Sequence, residues 1–220
     1  MWSFSDRDDE HGDGSCFPEP RPQSRRPGDE SHREERHEYH PASRPVRVAL
    51  MALRLLNIER DFGTLHRLLA DADCVRYLVD PPVTSEHETR VILQRWTTGW
   101  EDTSWSIFSP PGTETLGRVS TFQNDDGDWE VGIMMLQEGR GRGLARSAVL
   151  EAAEKTFESK QAPRIVADID PENLSSIALF QRLGFQEFAF LKQSCTTHLG
   201  VRDSRLLELT RENFASRYGR

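Results

Sequence analysis

Between Trp129 and Phe157 a β-branched, apolar run, a turn with glycines at positions 139, 141 and 143, and a long helical run follow one another without a break. No other stretch restricts the fold as much. Trp129 to Leu136 has the composition of a buried strand. After the turn, Ala145, Ala148, Val149, Ala152, Ala153 and Phe157 recur at helical spacing and predict a helix over Leu144–Ser159. A strand running through a glycine turn into a helix makes an anion site. The first N–H groups of a helix lack intrahelical partners and its dipole presents partial positive charge there. Gly141 and Gly143 remove the Cβ atoms that would hold a ligand away, and they allow the positive φ that lets successive N–H groups converge. Arg140, Arg142 and Arg146 surround the same point.

Two other glycine-rich phosphate loops are excluded by spacing. The dinucleotide fingerprint needs a glycine three residues after its second, where this chain has Leu144 or Arg146, depending on the starting glycine. Gly-Lys-Ser/Thr of the Walker A loop occurs nowhere. Arg140-Gly-Arg-Gly143-Leu-Ala145 instead resembles the pyrophosphate-binding signature of the GNAT N-acetyltransferase superfamily, Arg/Gln-x-x-Gly-x-Gly/Ala. Downstream, Asn173-Leu-Ser-Ser176 followed by Phe180 and Leu183-Gly184-Phe185 resembles the Asn-x-x-Ser…Leu-Gly-Phe segment of that superfamily's RimJ/RimL-like branch. The similarity extends over roughly residues 116 to 193.

The remaining composition sets the domain boundaries. Residues 1–45 contain no Ile, Leu or Val but six Pro, eleven Asp/Glu and seven Arg, the composition of a disordered tail. It has no apolar h-region, and its four histidines fit no metal-ligand spacing. Met51 is a more usual start for this family, so the tail reads either as an accessory or as an upstream extension. The catalytic domain is expected over 46–213, with 214–220 as a short C-terminal tail. Three widely spaced cysteines suggest a reducing, cytoplasmic setting, and no run of 18 apolar residues suggests a membrane span. Beyond the tail, 21 basic residues face 25 acidic ones, which excludes a generic nucleic-acid binder. Such a domain suits an anionic cofactor held at one basic turn and a cationic amine nearby.

Along the folded part, the pattern predicts a first strand over Val46–Leu56 and a helix over Ile58–Ala70. A second helix starts at the capping box Ser85–Glu88 and stops at Gly99. Trp105–Phe108 and Leu116–Phe122 form a hairpin around Pro110-Pro111-Gly112, and Asn124–Asp128 turns into the strand Trp129–Leu136. Arg164–Ile169 reads as a strand parallel to it through a right-handed crossover. Asn173 caps a helix ended by Gly184, and Phe185–Gln193 and Ser204–Thr210 make a final antiparallel pair. Trp96, Trp100 and Trp105 serve core packing or line an acceptor pocket. The fold class is α/β in the α+β sense: a mixed, mostly antiparallel sheet of six to seven strands with about four helices.

The resemblance adds what periodicity cannot. It implies a V-shaped splay between the fourth and fifth strands. The pantetheine arm of acetyl-CoA enters there and pairs with backbone near Met134, Met135 and Leu136. It also implies pyrophosphate contact across Arg140, Gly141, Arg142, Gly143, Leu144 and Ala145, with Asn173 and Phe180 beside the cofactor. Transfer is direct, in a ternary complex, without metal, to a small-molecule amine or a protein N-terminus; antibiotics, amino sugars and polyamines stay open. The protein would be a monomer or a homodimer. Glu130, in Trp-Glu-Val-Gly, matches this branch's Glu-Ile-Gly run; it either takes the amine proton or merely points to solvent, with Asp168 and Glu187 as lesser candidates. Many members carry a Tyr at Phe180 to protonate the thiolate, and a phenyl ring has no proton to give. Ser176, one turn earlier, either substitutes through its hydroxyl or a water, or only supports the helix start. Phe180 also motivates a second class of function, an acyl-CoA-binding module without turnover.

Overall fold

A computed structural model describes residues 52–97, 103–109 and 112–219. The expected tail over 1–45, the start of the first strand, the Gly99 stop, Trp100 and the Pro110-Pro111 turn lie outside the described residues. Among the described residues seven strands form one sheet in the order β1-β2-β3-β4-β5-β7-β6. They are β1 (Ala52–Leu55), β2 (Thr103–Phe108), β3 (Thr115–Gln123), β4 (Trp129–Met135), β5 (Arg164–Ile169), β6 (Gln186–Thr197) and β7 (Gly200–Thr210). Among the same residues six α-helices accompany them: α1 (Ile58–Ala70), α2 (Ala72–Val75), α3 (Glu86–Thr97), α4 (Leu144–Lys160), α5 (Leu174–Arg182) and α6 (Arg211–Tyr218).

Every neighbouring pair of strands is antiparallel except β4 and β5. Those two run parallel and touch at only two positions, Trp129 with Ile165 and Glu130 with Val166. Beyond Glu130, β4 stays in register with β3 as far as Met135 opposite Gly117, so the strand continues while its other edge opens. The expected splay between the fourth and fifth strands is therefore present, with Glu130 and Val166 at its closed end.

Side-chain alternation divides the interior between the two sheet faces. Trp129, Val131 and Met135 of β4 and Ile165, Ala167 and Ile169 of β5 face a large core with Ala148, Val149, Ala152, Ala153 and Phe157 of α4. Met134 and Leu136 face a smaller core with Leu65, Leu68 and Leu69 of α1 and Ile92 and Leu93 of α3. Trp105 belongs to the first core, and Trp96 packs, partly buried, against the second.

Three segments differ from the reading of the sequence. The last two strands reach Thr197 and start again at Gly200, so the expected loop shrinks to a tight turn at His198 and Leu199. Gln193, at φ 50°, lies in the bulge between Leu191 and Cys195 that lets β6 continue. In place of a C-terminal tail, α6 runs to Tyr218 and packs Phe214, 6% exposed, against Phe157 at 5.2 Å between ring centroids. The four-residue helix α2 was not expected.

Candidate active site

The glycine turn opens at the broad end of the splay. Gly141 has φ 71° and Gly143 φ 76°, the left-handed conformations that glycine adopts without strain. Gly143 is the N-cap of α4 and accepts the first helical bond, from the Ser147 N–H at 3.2 Å. No side chain caps this helix. Elsewhere Asn57, Asp71, Asn173 and Thr210 cap α1, α2, α5 and α6, and Ser85 accepts from the Glu88 N–H at the head of α3. Among the described residues this is the longest helix, and its first N–H groups have neither an intrahelical nor a side-chain cap partner, while a Cβ at Gly141 or Gly143 would meet nothing within 4 Å. These are the features a pyrophosphate needs.

The arginines around the turn point different ways. Arg140 donates from Nε to the Met135 carbonyl at 3.1 Å and approaches Cys74 Sγ at 3.1 Å. Arg142 donates to Ser109 Oγ at 3.0 Å. Arg146 lines the cavity beside Gly143, Leu144 and Ala145.

From the turn, a cavity of about 700 Å³ runs between β4 and β5 to Glu130 and Asp168. The Leu136 N–H is spent on the Leu116 carbonyl at 2.9 Å. Alternation along the continuous β3 register then turns the backbone groups of Met134 toward β3 and those of Ile133 and Met135 toward the slot. Met134 and Met135 both line the cavity, and Leu136 is buried in the core of the α1 face. Met135 is packed between two glycines, for a Cβ at Gly117 would lie 2.5 Å from its Sδ and one at Gly139 2.6 Å from its Cε.

Glu130 stands at the closed end and is 6% exposed, which removes the reading of a strand glutamate facing solvent. Burial pushes its carboxyl above the ordinary value; the charge of Asp168 acts the same way and a hydrogen bond from Asn124 opposes it. Glu187 pairs with Arg205 on the β6–β7 hairpin and does not line the cavity.

On the far wall, Asn173 Oδ1 accepts the Ser176 N–H at 3.2 Å and the Ser175 hydroxyl at 3.0 Å. Ser176 and Phe180 line the cavity one turn apart, and Phe180 meets Phe185 edge-on at 4.9 Å between centroids. Sequence reasoning missed the side formed by α2 and the loop after it. Cys74 Sγ reaches the Met135 carbonyl at 3.4 Å, and the Tyr77 hydroxyl donates to the Glu172 carbonyl at 3.2 Å, so this segment crosses the slot. The His198 N–H holds it from outside through the Val79 carbonyl at 2.9 Å. The local signal was Asp71, whose carboxylate accepts from the Asp73 and Cys74 N–H groups as a helix cap does.

Among the described residues no three His, Cys, Asp or Glu side chains converge as a metal site, and no helix is long and apolar enough to cross a membrane.

Comparison with known proteins gives the same reading of the fold. The chain is 26% identical over 147 residues to an uncharacterized N-acetyltransferase, p20, of Bacillus licheniformis, covering 64% of this chain and 82% of that one. A GNAT-family acetyltransferase structure from Bacillus anthracis superimposes with TM-score 0.64 at 17% identity, over 74% of this chain and 95% of the other. The spermidine N-acetyltransferase of Vibrio cholerae, solved with CoA and spermine, gives TM-score 0.65 at 19% identity, over 74% and 97%. Residues 51–186 match the acetyltransferase (GNAT) domain family, and the chain therefore belongs to it.

Proposed function

We propose that this protein is an N-acetyltransferase that moves an acetyl group from acetyl-CoA to a primary amine by direct attack in a ternary complex. The observation that carries this reading is one cavity with an uncapped helix N-terminus at its open end and a buried carboxyl at its closed end. The β4 segment between Met135 and Glu130 spans about 16 Å, suited to an extended pantetheine arm. On this reading the pyrophosphate rests on the N–H groups from Gly141 to Ala145, with Arg146 adding charge. Asn173 shapes the wall by capping α5, and Phe180 gives an apolar surface.

In the transfer step the amine nitrogen attacks the thioester carbonyl and its proton passes to Glu130. A slot-facing N–H of β4 stabilises the oxyanion as it forms. The carbon–sulfur bond then breaks, and the CoA thiolate takes a proton from the Ser176 hydroxyl or a water it holds, since Phe180 has none to give; the proton that Glu130 took from the amine returns to that group through water, so that the amine proton ends on the thiol. The spermidine enzyme among the structural relatives favours a small cationic acceptor over a protein N-terminus. Placement in the RimJ/RimL-like branch rests on Asn173, Ser176 and the run around Glu130. Cytoplasmic location and a monomeric or homodimeric state belong to the same proposal.

The test is a screen of acetyl-CoA against polyamines, amino sugars, aminoglycosides and peptide N-termini, read by liberated thiol. Acetylated product supports transfer. CoA binding without product for any amine class would leave an acyl-CoA-binding module instead. Gly143→Glu adds bulk and negative charge at the pyrophosphate, so calorimetry should find CoA binding abolished. Unchanged affinity in a folded variant would overturn the cofactor site.

A further inference from the structure

Two segments meet over the slot where β4 and β5 part. On the β4 side, the Cys74 thiol donates to the carbonyl of Met135, the strand's last residue, at 3.4 Å. On the β5 side, the Tyr77 hydroxyl donates to the Glu172 carbonyl at 3.2 Å, in the turn between β5 and α5. The strands pair only at Trp129 with Ile165 and Glu130 with Val166, so Met135 and Glu172 stand on opposite banks. Cys74, Arg76 and Tyr77 line the cavity, as do Met135 and Asn173. Residues 74–77 therefore run across it from bank to bank.

Both banks are anchored more firmly than the crossing. On the near bank Asp71 caps α2, and Val75, 1% exposed, is buried in the core toward α1 and α3. On the far bank Arg202 grips the Asp170 carboxylate through hydrogen bonds of 2.8 and 3.1 Å and reaches the Glu172 carboxylate at 2.7 Å. Asp170 Oδ1 also accepts the Glu172 N–H at 2.8 Å, which holds the turn that carries the acceptor of the Tyr77 bond. Past Tyr77 the chain is tied to the tip of the β6–β7 hairpin, where the His198 N–H donates to the Val79 carbonyl at 2.9 Å. The Tyr77 bond is by contrast a single neutral hydrogen bond in an exposed position. Such a bond shifts an equilibrium by about two- to tenfold.

We propose that residues 74–77 are a strap over the cofactor slot, fastened by the Tyr77 hydroxyl, and that CoA enters and leaves while this fastening is open. This rests on the acyltransferase reading, in which a pantetheine arm runs along β4 from Met135 to Glu130. With the pyrophosphate at the glycine turn, the arm passes under the crossing to reach Glu130, and a closed strap encloses it. A gate of this kind acts on rates. Opening precedes both entry and exit, so loosening the fastening speeds both equally and leaves the affinity unchanged. A residue that only touches the bound arm behaves otherwise, because loss of its contact speeds dissociation and weakens binding.

Tyr77→Phe keeps the ring and its contact with Arg76 and removes only the hydroxyl. Association and dissociation rates of CoA are measured by stopped-flow mixing with the full chain, beside those of ADP, which carries the adenosine and the pyrophosphate but no arm. In Tyr77→Phe both CoA rates should rise about two- to tenfold, with the dissociation constant within about twofold of wild type and the ADP rates unchanged. An unchanged association rate, or faster dissociation alone, overturns the strap. Rates that rise alike for CoA and ADP overturn it as well, since they report a loosened site rather than an opened crossing. Failure of CoA to bind the wild type would overturn the acyltransferase reading itself, which keeps the two failures apart.

Discussion

Arg140 and Met135 join the glycine turn to the strand that precedes it: the guanidinium Nε donates to the Met135 carbonyl at 3.1 Å and the turn closes back on the end of β4. The Met135 carbonyl faces the slot, so Arg140 occupies its rim, whereas Arg142 bonds to Ser109 on the side of β2. Two arginines two residues apart in a basic turn therefore have different tasks, one bracing the turn and one lying on the surface.

Arg140→Ala removes a charge-assisted hydrogen bond to a partly buried carbonyl and should cost about 1–2 kcal/mol, seen as a melting temperature lower by a few degrees. Arg142→Ala gives up only an exposed contact to Ser109 and should leave the melting temperature within about one degree. Equal effects of the two substitutions in thermal denaturation would show that the brace contributes nothing.

The sequence revealed those parts of the fold whose signals are local. Ile58–Ala70 is the helix its apolar spacing predicts, and Asn173 with Gly184 bounds α5 as a cap and a left-handed stop. Gly141 and Gly143 have the positive φ that an anion-binding turn calls for. What stayed hidden is set by distant contacts. The directions of Arg140 and Arg142 depend on a strand end and on a serine more than thirty residues away. Four residues of α2 are too few for a periodic signal, and α6 is polar apart from Phe214, Ala215 and Tyr218. Glu130 was legible as a residue of the candidate site, but its burial could be known only once β5 stood beside it.

Asp61 holds the start of α1 against the sheet, and its stability contribution has a definite pH sign. Burial alone would raise its carboxyl, yet hydrogen bonds from Arg60, Ser106, the Asn57 N–H and Thr115 hold it well below the usual range. A carboxyl depressed in the folded state stabilises above its unfolded value near 4 and loses that effect as pH falls. Asp61→Asn should therefore cost about 3 kcal/mol at pH 7, and the gap from wild type should shrink on acidification below about pH 4. A gap independent of pH in denaturant titrations would show that the charge is not what matters.

Glu130 should show the opposite sign. With its folded value raised, it is neutral and harmless at low pH and destabilises the domain as pH rises and it ionises in a buried site. Glu130→Gln is then expected to melt above wild type at pH 7.5 and together with it near pH 4. An unaltered melting temperature at both values would mean that the carboxyl is solvated well enough to ionise freely, and would weaken its assignment as a tuned base.

Glu130 and Ser176 act on different protons, and kinetics can tell their roles apart. Glu130→Gln keeps the shape and hydrogen-bonding reach at the closed end of the slot but cannot accept the amine proton. Turnover should fall by roughly 10²–10⁴ while CoA affinity holds. Ser176→Ala should cost less than about tenfold, because a CoA thiolate is a tolerable leaving group near neutral pH and water can supply its proton. Raising the pH increases the fraction of an alkylamine that arrives already neutral, about tenfold per unit below its own pKa near 10. That gain partly replaces the missing base, so Glu130→Gln should recover with pH more steeply than wild type, whereas Ser176→Ala should follow the wild-type profile. Wild-type turnover in Glu130→Gln at pH 7 would exclude Glu130 as the base and leave Asp168, the other carboxylate lining the closed end, to take the proton.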